Sequence, residues 1–187
     1  MANLNPTLWR TCKMLAGRKR VELLRELHQQ PGRSVTELGH AVGVKRSYAS
    51  QELRRIQSRG LLKSARRGIP LIYRMDPDPQ VLSASPLLKA IQFALGRFPP
   101  ERDPEICAIA NGLAHDRRIA IARLLMQGPL SHAGLLQALH MTPSALSQHL
   151  QPLLSGGWVI KTNKHFHLRI PAHPLARALA SLIREPV

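Results

Sequence analysis

Apolar positions along the chain follow two rhythms in turn, and the sequence of rhythms occurs twice. Val21, Leu24 and Leu27, and later Ile121, Leu124 and Leu125, recur at the spacing of a helix buried along one side. A turn follows each run, at Pro31-Gly32-Arg33 and at Gly128-Pro129-Leu130. Ser34 and Ser131 then stand where a hydroxyl can cap a second, short helix, predicted over Val35–Val42 and His132–Leu139. Beyond the turns Gly43-Val44 and His140-Met141, a third helix is predicted to start near Lys45 and near Pro143. Thr142 suits its N-cap, and Pro143 suits its first turn, where a missing N–H needs no partner. Both third helices run out at glycine, Gly60 and Gly156-Gly157.

After those glycines the period shortens from that of a helix to that of a strand. Trp158, Ile160, Phe166, Leu168 and Ile170 alternate with polar residues, which predicts a half-buried hairpin with these five side chains inward. The earlier counterpart is Leu61-Leu62-Lys63, a turn at Arg66-Arg67-Gly68, and Leu71-Ile72-Tyr73. Closing helices follow at Leu87-Leu88-Lys89-Ala90-Ile91 and Leu175-Ala176-Arg177-Ala178-Leu179. The correspondence keeps register. Ser47, Ser50, Gln51, Leu53 and Gly60 precede Ser144, Ser147, Gln148, Leu150 and Gly157 by 97 residues, and Arg20, Val21, Leu23 and Leu27 precede Arg118, Ile119, Ile121 and Leu125 by 98. The expected fold is therefore mainly α with small β-hairpin wings, as two tandem winged helix-turn-helix domains. The expected domains are residues 1–98 and 99–187, each with a closing helix, divided at Phe98-Pro99-Pro100.

Charge narrows the function. The 187 residues carry 27 Lys+Arg against 11 Asp+Glu, a net +16. Residues 1–98 hold 18 against 6, or +12, and residues 99–187 hold 9 against 5, or +4, with seven of the nine histidines. With 44% hydrophobic residues the chain can build cores, so the charge is not that of a disordered basic tail. A polyanionic partner follows, nucleic acid first and an acidic membrane surface second. The longest apolar stretch, Ile119 to Met126, is broken by Arg123 and is far short of a membrane span. No signal-peptide pattern opens the chain, and two cysteines make no disulfide framework. The expectation is a soluble, cytoplasmic, nucleoid-associated protein.

Three segments carry a family resemblance: Leu113-Ala114-His115-Asp116-Arg117-Arg118-Ile119-Ala120-Ile121, Gly128-Pro129-Leu130-Ser131, and Thr142-Pro143-Ser144-Ala145-Leu146-Ser147-Gln148-His149-Leu150. Together they resemble the ArsR-type winged-helix repressors, over about residues 105–183 and more loosely over 8–95. The resemblance implies that the third helix enters the DNA major groove, that the wing touches backbone or minor groove, and that the terminal helices form a dimer interface.

A recognition helix needs short polar or cationic groups at its exposed N-terminal turns to reach base edges. In the first half these are Lys45, Arg46, Ser47, Ser50, Gln51 and Arg54, with Ala49, Leu53 and Ile56 inward. In the second they are Thr142, Ser144, Ser147, Gln148 and Gln151, with Leu146, Leu150 and Leu153 inward. Gln51 and Gln148 could pair adenine bidentately and Arg46 guanine, while the others anchor phosphates. Arg66 and Arg67 in the first wing, and Lys164 beside Asn163 in the second, are candidate backbone or minor-groove contacts.

No Gly-rich phosphate loop, carboxylate pair or nucleophile motif points to catalysis. Neither helix preceding a recognition helix contains cysteine, so no thiolate metal site is expected, and His165 and His167 lack a third ligand. No cofactor is implied. Cys12 and Cys107 read as small packed residues with no assigned role. The expected function is a sequence-specific regulator binding double-stranded DNA. In it, two domains act as a covalent pseudo-dimer on an asymmetric site, with a homodimer left open. The alternatives are a non-specific or architectural DNA-binding protein and a protein-interaction scaffold; RNA is disfavoured because aromatics are only 4%.

Overall fold

The computed structural model describes residues 7–66, 68 and 71–184. In chain order the elements are α1 (Leu8–Leu15), α2 (Arg18–Gln29), α3 (Val35–Ala41), α4 (Arg46–Gln57), β1 (Lys63–Arg66), β2 (Leu71–Arg74) and α5 (Ala84–Arg97). After a 3-10 turn at Pro100–Arg102 come α6 (Asp103–Gly112), α7 (Asp116–Met126), β3 (Leu130–Ser131), α8 (His132–Leu139), α9 (Pro143–Ser155), β4 (Val159–Thr162), β5 (His165–Leu168) and α10 (Pro174–Arg184). The fold is mainly helical with small antiparallel sheets. Two compact units result. One comprises Gly17–Pro104, and the other combines Leu8–Ala16 with Glu105 onward, so α1 clusters with elements that follow it by ninety residues or more, and the division falls inside α6.

In the Gly17–Pro104 unit, the one-sided spacing of α2 buries Val21, Leu24 and Leu27 on a helix that packs against α3 and α4, where Leu38, Leu53 and Ile56 are fully buried. Helix α3 starts with a reciprocal cap. The Ser34 hydroxyl accepts from the Glu37 N–H at 3.3 Å, and the Glu37 carboxylate accepts from the Ser34 N–H at 2.7 Å. These bonds hold the Glu37 carboxyl below its ordinary range. Gly43, at φ 67°, turns the chain from α3 toward α4. A buried cation ties α2 to α5. Arg25 forks onto Asp103 through Nε and Nη2, both at 2.6 Å, and its Nη1 donates to the Leu95 carbonyl at 3.0 Å. Strands β1 and β2 pair from Lys63↔Arg74 to Arg66↔Leu71, and Ser34 bridges to Ile72.

The second unit obeys the same local chemistry at α8 and α9. Ser131 accepts from the Gly134 N–H at 3.1 Å, and Thr142 accepts from the Ala145 N–H at 3.3 Å with Pro143 opening the helix. His140 stands left-handed at φ 48° between the two helices. Arg123 of α7 donates to the Ile183 carbonyl of α10 at 3.0 Å. The fully buried Trp158 donates its indole N–H to the Ile109 carbonyl at 2.8 Å, and Gly112 leaves the ring its space.

Two expectations need correction here. Leu130, read as the end of a turn, instead joins the capping residue Ser131 in the short strand β3, which pairs with β5 through Leu130↔Phe166 and Ser131↔His165 to make a sheet of order β3-β5-β4. The inward face of β4 is also set one residue away from the expected one. Val159 lies opposite Leu168 and is buried, whereas Ile160 lies opposite His167 on the exposed face, and Ile170 is exposed beyond β5. Trp158 precedes the strand, so its burial does not set the alternation that follows.

Candidate nucleic-acid interface

Each unit offers one helix whose outward side is polar from its first turn. On α4 the apolar residues Ala49, Leu53 and Ile56 are fully buried, which fixes the helix's rotation. Lys45 at the N-cap and Arg46, Ser47, Gln51 and Arg54 are exposed, and Ser50 is half-buried. Buried Tyr73 of β2 holds Arg54, whose guanidinium bonds the tyrosine hydroxyl; burial pushes that phenol above its ordinary value, and the Arg54 charge opposes the rise. Gln57 donates to the Ser64 hydroxyl at 3.0 Å, joining the end of α4 to the wing. Arg66 is exposed at the end of β1. Arg67 lies outside the described residues.

On α9 the buried set is Leu146, Leu150 and Leu153, and Ser144, Ser147, Gln148 and Gln151 are exposed. Thr142 is exposed too, but its hydroxyl already accepts the capping bond and has only its own proton and a second lone pair to offer. Helix α9 contains no lysine or arginine, against three arginines on α4. The cation of this unit's wing sits at its tip. Asn163 and Lys164 are both left-handed, at φ 50° and 65°, as a two-residue hairpin turn requires, and Lys164 is exposed there. Lys161 lies over the Phe166 ring, with its ammonium 5.6 Å from the centroid.

Three side chains at these faces went unread in the sequence. Tyr48 is 42% exposed on the first turn of α4, and its only sequence signal is an aromatic among polar neighbours. Glu52 is 1% exposed and is held by Arg20 at 2.6 Å and by Arg55, so α4 carries a buried carboxylate under its basic surface. His149, half-buried on α9, has its ring centroid 4.5 Å from that of His115, the N-cap of α7, with the two planes tilted by 50°. Cys12 is wholly buried, and burial pushes its thiol up to about 12, with Arg118 opposing; it is not a reactive group. Among the described residues no group of three or more His, Cys, Asp or Glu could hold a metal ion, and no helix is long and apolar enough to cross a membrane.

Neither the curated proteins nor the solved structures include a significant match to the chain. A family model does match part of it: residues 115–161, or 47 of 187, fit the bacterial regulatory proteins of the arsR family. That stretch runs from the cap of α7 through α8 and α9 into β4, so the match covers one helix-turn-helix and the start of the hairpin that follows it.

Proposed function

We propose that the chain is a sequence-specific regulator of transcription that binds double-stranded DNA through α4 and α9. Two winged helix-turn-helix domains in one chain then act as a covalent pseudo-dimer on an asymmetric site. The arsR-family match over α7–α9 carries the DNA-binding part of this reading. The polar outward faces of both helices support it, as does the charge of +16.

Duplication is supported by bonds that recur between corresponding positions of the two units. Arg25 donates to Leu95 as Arg123 does to Ile183, with donors 98 apart and acceptors 88 apart. Val44 donates to Gly39 as Met141 does to Leu136, and Gly60 to Gln57 as Gly157 does to Leu154, all at 97. Left-handed Gly43 and His140 share that offset. An asymmetric target follows from the exposed positions. Both helices offer a glutamine for adenine, Gln51 and Gln148, but only α4 adds Arg46 for guanine and Arg54 for phosphate, and α9 has no lysine or arginine. The protein is a binder rather than a catalyst on this reading, working in the cytoplasm at the nucleoid.

Selection of preferred duplexes from a random pool at two salt concentrations tests this. An enriched, non-palindromic sequence is expected, with affinity falling steeply with salt at about −0.9 in log–log slope per neutralised phosphate. Gln148→Ala should cost about 1–3 kcal/mol on the enriched sequence and little on random DNA. Enrichment of nothing, with strong salt dependence, would instead support an architectural DNA-binding protein; no binding at low salt would leave the scaffold reading.

A further inference from the structure

One pair of positions is filled in opposite ways in the two units. Arg20 is the third residue of α2, and Arg118 is the third of α7. Glu52 is the seventh residue of α4, and His149 is the seventh of α9. In the Gly17–Pro104 unit these places hold an ion pair, with Arg20 Nη1 2.6 Å from the buried Glu52 carboxylate. In the other unit the carboxylate is replaced by an imidazole, and Arg118 loses that partner. The Arg118 Nε is buried without a hydrogen bond, and its remaining bond runs from Nη1 to the Asn111 carbonyl.

We propose that His149 is a titratable positioning residue for α9, securing that helix against α7 only while its imidazole is neutral, whereas an ion pair secures α4 at the same place. The His149 ring lies 4.5 Å from His115, and every other charged neighbour it feels comes from the first turn of α7: Arg118, Arg117 and the single acid, Asp116. Asp116 already accepts from the Arg117 N–H at 2.7 Å, and its carboxylate lies 2.5 Å from His115 Nδ1, an ion pair when that imidazole is protonated. Helix α1 adds no anion, presenting Trp9 to His115 at 6.3 Å and the protonated thiol of Cys12 toward Arg118. A proton on His149 would therefore meet cations and a buried, unpaired guanidinium edge.

Burial, and then the His115 and Arg118 charges, hold His149 below its ordinary value, with Asp116 opposing. The sign follows. A histidine whose folded-state value is depressed favours folding fully above its unfolded value of about 6.5, and that contribution is lost as pH falls below it. Acid thus loosens α9.

This deepens the DNA-binding reading and rests on it only for the effect at DNA, so the decisive measurements contain none. Imidazole titration by NMR on the full chain should place His149 below about 6.5. On going from about pH 7.5 to about pH 5.5, the melting temperature of the wild type should fall by about 3 °C or more. That loss should shrink at least by half in His149→Gln, which cannot titrate, and in His149→Glu, which returns a carboxylate to Arg118. The reciprocal Glu52→His should enlarge it. His149 titrating at or above about 6.5, or an acid loss unchanged in both His149 variants, would overturn the proposal. In a final arm, fluorescence anisotropy on the selected duplex should show His149→Gln keeping its affinity at low pH where the wild type loses several-fold. A chain that binds no duplex at all would refute the functional reading, while titration and melting would still decide the role of His149.

Discussion

Helices α4 and α9 present polar faces of the same extent by different means. Helix α4 carries Arg46, Arg54 and Arg55 with Lys45 at its cap, and a buried carboxylate beneath. Helix α9 carries serines and glutamines, a half-buried histidine, and no lysine or arginine. On the proposed reading, the first attracts DNA from a distance and tolerates varied sequence, because Coulomb attraction to phosphate ignores base identity. The second depends on short hydrogen bonds, which discriminate but add little attraction. The apolar stripes beneath the two faces correspond, Ala49, Leu53 and Ile56 against Leu146, Leu150 and Leu153, so the exposed residues that set this difference are separate from those that set the fold.

The largest expected effect separates the units by their wing anchors. Trp158 is fully buried with its indole N–H satisfied, and the residue 97 positions earlier is Leu61. Trp158→Ala should cost about 3–5 kcal/mol, with amide exchange accelerating in α6, α9 and β4 and not in α2–α5. Equal acceleration throughout would mean the units share one cooperative transition. Next comes Glu52→Gln, which leaves Arg20 and Arg55 facing a neutral amide. Because both arginines keep some solvent, the loss should lie at about 2 kcal/mol, below that of a fully buried pair, and denaturant unfolding would read it. The smallest effect lies in the two turns before α4 and α9. Gly43→Ala places a Cβ at φ 67° and should destabilise by about 1 kcal/mol, while His140→Gly relieves the strain at φ 48° and should stabilise by somewhat less. Two changes of the same sign would show that the turns are not equivalent.

What the sequence made legible was chemistry confined to a few neighbouring residues. Ser34, Ser131 and Thr142 announce helix starts because a cap needs only a hydroxyl and the next N–H groups, and all three make those bonds. Gly60 and Gly157 mark helix ends for an equally local reason, a positive φ near 75°. Pairing across long stretches left no such mark. Strand β3 is two residues long and exists only through β5, thirty-odd residues away. Arg25 finds Asp103 across 78 residues, and α1 clusters with elements far down the chain, a partition that the charge shift near Phe98 does not announce. At the candidate site, outward polarity followed from the buried stripe on each helix. Glu52 and His149 did not, because a carboxylate or imidazole amid polar neighbours looks in sequence like ordinary surface.

Both sheets also have strands unpaired along a side: among the described residues β1 pairs only with β2, and β3 and β4 each pair only with β5. An unpaired strand is a template on which another chain can add, which is how soluble proteins begin to form fibrillar aggregates. Lys63 and Arg66 stand on β1 and Lys161 on β4, all exposed, and a second strand bringing the same residues alongside would meet like charges. The wing cations thus answer to two demands, and neutralising them would compromise colloidal stability even in the absence of any nucleic acid.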